Sequence, residues 1–237
     1  IDALQKHFQV SPKRFYQFYA APKSGKEDTT RSRSLLFFSH AILLASGMNK
    51  PVKLYIPENG VISMNIPLTE HRMGSLSTRT THPFFMGLLQ DLLNSLDLKI
   101  TIVNPYQFKT KGEMMLECKD FDFLKSNYPL TMSCSHPDLG RWKKETESSH
   151  CGVCLPCTIR RAAIMKAGLK DESFYRDPQY KDIEAETNLR SYKLGLTQKK
   201  TPILAIQESG PITHHRQDFA DLYQRGLAEL KEFIDTL

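Results

Sequence analysis

The sequence predicts an α/β fold: a partial parallel sheet followed by a mostly helical C-terminal region. Three observations carry this. Runs with helical spacing alternate with short β-branched runs through residues 1–125, the pattern of a parallel sheet with helical crossovers. A turn-rich stretch then concentrates four of the five cysteines. The chain ends in one long apolar stripe at helical spacing.

Residues 1–21 hold an aromatic cluster, Phe15, Tyr16, Phe18 and Tyr19, whose spacing fits a short helix or a strand equally. Residues 22–34 are small and polar and read as a loop. The apolar run Leu35 to Leu44, stopped at Ser46-Gly47, predicts a buried helix. Val52 to Ile56 predicts a short strand closed by Pro57. Residues 57–83 read as a long loop, and loops this long are usually functional or disordered. Phe85, Leu88, Leu89, Leu92, Leu93 and Leu96 recur at helical spacing, Lys99 to Val103 is a second strand, and a helix is expected over Glu113 to Leu124. Thr158 to Ala167 predicts a helix with Gly168 at its exit. Residues 172–215 read as irregular with local helix. Phe219, Leu222, Tyr223, Leu227, Leu230, Phe233 and Ile234 predict a terminal amphipathic helix.

Three segments are therefore expected: a partial α/β domain over 1–125, a cysteine-bearing segment with its helix over 126–172, and an extension over 173–237. Two strands are few for a parallel sheet, which normally has about four to six. Either strands hide in the aromatic stretch or part of the sheet is missing, and an unpaired edge is usually covered. A partner segment is expected on that ground. That the chain opens on Ile1 rather than Met hints that the start of the gene product is absent.

The composition is that of a globular chain, with 40% hydrophobic and 24% charged residues. No apolar run reaches the length of a membrane span and no signal-peptide pattern opens the chain, so a cytoplasmic protein is expected. The formal net charge of +6 suits an anionic ligand such as a nucleotide or nucleic acid, and equally a soluble surface slightly rich in lysine.

The densest chemical signal is Cys151-Gly152-Val153-Cys154-Leu155-Pro156-Cys157, with Cys134 upstream. Two overlapping C-x2-C steps present three thiolates to one metal, and Cys134 can close the tetrahedron of a structural zinc. A four-iron cluster uses similar spacing and is the rival metal; buried free thiols are the metal-free alternative. Gly152 and Pro156 suit the tight turns, His136 and His150 read as bystanders, and Cys118 reads as a small buried residue in a helix. Arg160 and Arg161 either bind an anion or face solvent, and solvent is the simpler reading. His214-His215 and Lys199-Lys200 read as surface groups.

The same segment carries a family resemblance. Thr131-Met132-Ser133-Cys134, then Cys151-Gly152-Val153-Cys154-Leu155-Pro156-Cys157-Thr158-Ile159-Arg160 and Lys166-Ala167-Gly168-Leu169-Lys170-Asp171, resembles the zinc signature and ending of the 7-cyano-7-deazaguanine synthase (QueC) family. Upstream, Arg33 to Ala41 resembles that family's arginine-led helix start, and Asn104-Pro105-Tyr106 to Lys111-Gly112-Glu113 its proline-to-lysine helix start. Pro57 to Gly60 and Gly74 to Pro83 fall where the family binds its substrate base. They lack its tyrosine-proline-aspartate-cysteine-arginine motif and look more like the divergent QueC-like proteins of bacterial anti-phage defence operons, the QatC type.

The resemblance, over roughly residues 29–172, implies an adenine-nucleotide α-hydrolase-like (Rossmann-like) sheet. It also implies ATP-dependent adenylation of a carboxylate, with Mg2+, followed by attack of a nitrogen nucleophile. The nucleobase-like substrate would resemble a deazaguanine carboxylate, and the acceptor would be ammonia or an amine on a defence-operon partner protein. Zn2+ at Cys134, Cys151, Cys154 and Cys157 would be structural. Substrate or nucleotide contacts fall to Arg33, Glu58, Asn59, Arg79, Thr80, His82 and Lys111: Glu58 to base ring nitrogens, Asn59 to a base edge, and Arg79 to a phosphate or carboxylate at a helix start. For the last, ordinary capping by a threonine beside a solvated arginine is the alternative. The family's S-G-G-x-D-S pyrophosphate loop is not found; Ser24-Gly25-Lys26-Glu27-Asp28-Thr29 places a lysine where its second glycine belongs. The nucleotide-binding part is therefore expected on another segment or chain, and this chain alone is expected to be inactive. A tRNA-modifying relative of the same fold group and a non-catalytic, zinc-stabilised assembly module are the other readings.

Overall fold

The computed structural model describes residues 2–18, 33–66, 68, 80–140, 146–198 and 200–237. Its helices are α1 (Asp2–His7), α2 (Arg33–Ser46), α3 (Gly60–Met64), α4 (Pro83–Ser95), α5 (Lys111–Leu116), α6 (Phe121–Asn127), α7 (Leu155–Lys166), α8 (Ile183–Thr197), α9 (Pro202–Gln207) and α10 (Arg216–Ile234). The strands among the described residues are β1 (Val52–Tyr55) and β2 (Ile100–Val103). The fold is thus α/β, mostly helical, with a small parallel sheet.

The strands pair in parallel, Val52 opposite Ile100 and Tyr55 opposite Val103. Alternation puts Val52, Leu54, Ile100 and Ile102 on one face, where they pack with Ala45 of α2 and Leu93 of α4. The outer edge of β2 is satisfied by a side chain. Gln90 of α4 donates from Nε2 to the Ile100 carbonyl at 2.9 Å, and its Oε1 accepts from the Ile102 N–H at 2.8 Å. One amide thus stands in for the peptide group of a further strand.

Helices build the rest of the core, with α10 at its centre. Leu230, Phe233 and Ile234 of α10 cluster with Leu155 and Ile159 of α7 and with Ala185 and Tyr192 of α8. Phe219 and Leu222 meet Met64, Ile206 and Ile212. Met115 of α5 packs on Ala163 and Ile164 of α7. Each large apolar side chain buried this way stabilises the fold by about 1.5–3 kcal/mol.

The helix expected over Glu113 to Leu124 is two helices. Asp120 accepts from the Phe123 N–H and so caps a new helix, α6; Cys118 lies in the break, its thiol donating to the Asp120 carbonyl. Within 57–83, Asn59 caps the short helix α3. Residues 172–215, expected to be irregular with local helix, hold α8 and α9. The N-terminal aromatics Phe15, Tyr16 and Phe18 lie in no helix or strand; Tyr19 falls outside the described residues. No helix of the described residues is long and apolar enough to cross a membrane.

Gly60, the first residue of α3, shows how tightly these parts meet. A Cβ there would lie 2.0 Å from the Gln107 carbonyl oxygen and 2.3 Å from Leu222 Cδ2. Gly60→Ala is expected to cost about 2–3 kcal/mol, as overpacking that the backbone cannot relieve does, read as a lower urea midpoint.

Candidate functional site

The four cysteines expected to act together do converge. The Sγ atoms of Cys134, Cys151, Cys154 and Cys157 all lie within 4.8 Å of one another. Cys134 and Cys154 are 4.0 Å apart and Cys151 and Cys157 3.9 Å. Four thiolates around one tetrahedral zinc sit about 3.8 Å apart, given bonds of about 2.3 Å. A four-iron cube holds its thiolates wider, so the spacing fits a single ion. All five cysteines are free thiols.

Local backbone geometry prepares this cluster. Gly152 adopts φ +90°, a left-handed turn that suits glycine, and Pro156 opens α7 just before Cys157. Backbone N–H groups point at the sulfurs: His136 and Cys151 donate to Cys134, and Cys154 donates to Cys151, each at 3.3 Å. Cys134 is pushed down to about 6, its hydrogen bond with Cys151 acting upward and those with Cys154 and Cys157 downward. Mutual hydrogen bonding lowers the Cys151 thiol and raises those of Cys154 and Cys157. The thiols divide unequally because adjacent negative charges repel; a divalent cation is what lets all four ionise together. The donor set, spacing and N–H groups therefore fit a metal ion such as zinc.

Two arginines that the sequence left to solvent stand behind this cluster instead. Arg160 is only 3% exposed. Its guanidinium donates to Thr131 Oγ1 at 2.6 Å, the Tyr128 carbonyl at 2.8 Å and Ser173 Oγ at 2.9 Å, while its buried Nε has no partner. Arg161 sits over the rings of Tyr175, Tyr180 and Phe233, nearest Phe233 at 4.7 Å. It also donates to the carbonyls of Gly152 and Pro178. His150 is buried, with Nε2 3.1 Å from the Thr131 carbonyl and Nδ1 3.9 Å from Cys157 Sγ. It buttresses the cluster from outside the four-sulfur set. His136 offers its backbone.

A second constellation lies beyond the C-terminal ends of the strands, where parallel sheets place their ligand sites. Glu58 follows β1, and Lys111 opens α5 beyond β2. Asn104 ties the two loops, donating to the Glu58 carbonyl at 2.9 Å. Burial pushes the Glu58 carboxyl up, against the pull of Lys111 and the Asn59 N–H. Burial pushes the Lys111 ammonium down; Glu58 opposes this and the Arg160 cation adds to it. Each is drawn toward the other, yet their hydrogen bonds go elsewhere: Glu58 Oε1 accepts from Asn59 Nδ2 at 3.2 Å, and Lys111 Nζ donates to Ser133 Oγ at 3.1 Å. Ser133 adjoins Cys134, so Lys111 connects this constellation to the cysteine cluster.

The remaining expected site residues are placed as follows. Asn59 is buried, and its amide is engaged at both ends, by the Ile62 N–H and by Glu58. The cap of α4 is His82 rather than a threonine: Nδ1 accepts from the Phe84 N–H and Nε2 pairs with Ser209 Oγ. A ring nitrogen reaches the N–H two residues on, while Thr81 is turned to Ser63. Thr80 is exposed and accepts from Ser34 Oγ. Arg33 is the first residue of α2. Arg79 and the stretch Ser24 to Thr29 lie outside the described residues. His215 lies at the N-cap just before α10, exposed and paired with Asp218.

Two polar residues joined to this region were not singled out by the sequence. Glu229 and Arg225 of α10 both reach the start of α5. Glu229 is only 6% exposed, on what the apolar pattern marks as the rim of a helix stripe. An acidic residue inside that rim was the available signal.

No curated protein and no solved structure matches the chain. One family model does, under the description "Queuosine biosynthesis protein QueC", and it covers residues 81–168, well under half of the sequence. Over the part that holds β2, Lys111 and the four converging cysteines, then, the chain is similar to the QueC family.

Proposed function

We propose that this chain supplies the base-acid site of a QueC-like, ATP-dependent synthase. The observation that carries the reading is the Glu58–Lys111 pair: half-buried opposite charges, each hydrogen-bonded to a different neighbour, on the loops after neighbouring parallel strands. A nucleobase-like acid such as a deazaguanine carboxylate matches that pair. Glu58 accepts from ring N–H groups, and Lys111 neutralises the carboxylate. The four cysteines hold a structural zinc behind Lys111; with all its positions taken by sulfur, the ion supplies stability rather than a reactive site.

In the intact enzyme ATP with Mg2+ would activate the carboxylate as an adenylate, and a nitrogen nucleophile would displace AMP. The chain contains no S-G-G-x-D-S sequence, so the pyrophosphate loop would come from another segment or chain. Divergence over 57–83 supports the defence-type branch, with an amine on a partner protein as acceptor.

Titration calorimetry tests the site directly. The zinc-loaded chain is expected to bind a deazaguanine carboxylate, and Lys111→Met to weaken it by roughly tenfold to a hundredfold, the scale of one charged contact out of water. A wild-type chain with full zinc that takes up no such ligand would overturn the reading. ATP–pyrophosphate exchange is expected to be absent from the chain alone, and its appearance would place the nucleotide chemistry within these residues.

A further inference from the structure

We infer that α10 belongs to the base-acid site: Glu229 and Arg225 are positioning residues that fix Lys111. The inference rests on the reading of Lys111 given above.

Helix α5 has six residues, too few to hold its shape unaided. Its own capping box uses Thr110 and Glu113: Thr110 Oγ1 accepts from the Glu113 N–H, and Glu113 Oε2 accepts from the Thr110 N–H. The remaining capacity of both groups is taken by α10. Thr110 Oγ1 donates to Glu229 Oε2 at 2.6 Å, and Arg225 Nε donates to Glu113 Oε1 at 2.7 Å. The Gly112 N–H donates to Glu229 Oε1 at 3.1 Å, and Arg225 donates to the Phe108 carbonyl at 2.8 Å.

Glu229 therefore grips the residues on either side of Lys111, leaving its backbone no slack. The fit is close: a Cβ on Gly112 would lie 2.6 Å from Glu229 Oε2, so a larger residue there would push the carboxylate from its place. Packing α10 on α5 would need only an apolar residue. A buried carboxylate is costly unless it orders polar groups, and here the groups it orders flank Lys111. Both clamp residues lie outside the segment similar to QueC.

The test compares two probes: a deazaguanine carboxylate, and the same deazaguanine without its carboxylate. Glu229→Ala is expected to weaken the first roughly tenfold and the second by less than about twofold. Glu229→Gln, which accepts from Gly112 and donates to Thr110, is expected to recover to within about threefold of wild type. Arg225 is half exposed, and Arg225→Ala is expected to weaken the carboxylated probe by about threefold with zinc content unchanged. Equal losses for both probes, or none in either alanine variant, would overturn the inference. Hydrogen exchange without ligand gives a separate reading. Glu229→Ala should speed exchange of the Gly112 and Glu113 amides while α7 stays protected, and unchanged exchange sinks the clamp whatever the ligands do. A wild type that binds neither probe, with exchange responding as expected, removes the site reading and Lys111's role but leaves the clamp as a structural fact.

Discussion

Stripping the metal from this chain, or changing Cys157 to serine, is expected to unfold the stretch from Thr131 to Asp177. Among the described residues here, regular structure is limited to α7, a 3-10 turn at Leu139-Gly140 and the isolated His150–Tyr175 bridge. Much of the rest is turn and loop tied to the sulfurs. A structural zinc in such a setting contributes on the order of 10 kcal/mol, comparable to the whole stability of a domain. Cys157 is fully buried on α7, the helix whose Leu155 and Ile159 pack against α10, so the loss should spread into the main core. The purified chain should carry one zinc. A chelator should remove both the metal and the cooperative thermal transition. An unshifted melt after complete chelation would refute the structural role, and a brown, iron-loaded chain would favour the rival cluster.

Arg160→Met is expected to cost about 3–5 kcal/mol, the scale for removing one member of a buried charged network. The substitution removes the donor to the Thr131 and Ser173 hydroxyls and one of three donors to the Tyr128 carbonyl, which keeps the Thr131 N–H and hydroxyl. It also removes a buried cation beside the cysteines, where a zinc held by four thiolates is a net dianion. Zinc affinity should therefore fall together with the denaturation midpoint. Arg160→Lys keeps the charge but not the planar fork that reaches three partners, and an intermediate loss is expected. If the methionine variant melts and binds zinc like wild type, Arg160 is packing alone.

What was legible from residue order was local. The strands, α4, α7, α10 and the cysteine set each declare themselves within a short window, through apolar period, turn residues or C-x2-C steps. Helix α8 declares itself less, because its stripe of Ala185, Leu189, Tyr192 and Leu196 is thin, only partly buried and set among polar residues. The break between α5 and α6 turns on one side-chain cap, Asp120, inside a run whose apolar period continues across it. The burial of Arg160 was hidden for a different reason. Its partners Tyr128, Thr131 and Ser173 stand 32, 29 and 13 residues away, and no local pattern announces that three acceptors will meet around one guanidinium. Glu229 is the extreme case, a carboxylate whose place is set by groups 117 and 119 residues earlier.

That span carries a consequence for how the molecule is made. Gln90 closes the edge of β2 from 10 and 12 residues away, so this piece can settle as soon as it leaves the ribosome. The start of α5 emerges early too, but its clamp arrives only with α10, 112 to 119 residues later. Until then Lys111, the lysine of the proposed site, rides on a six-residue helix that lacks its clamp. Support of Lys111 is thereby tied to synthesis of α10, and a nascent chain halted before Arg225 holds its sheet with the start of α5 unclamped.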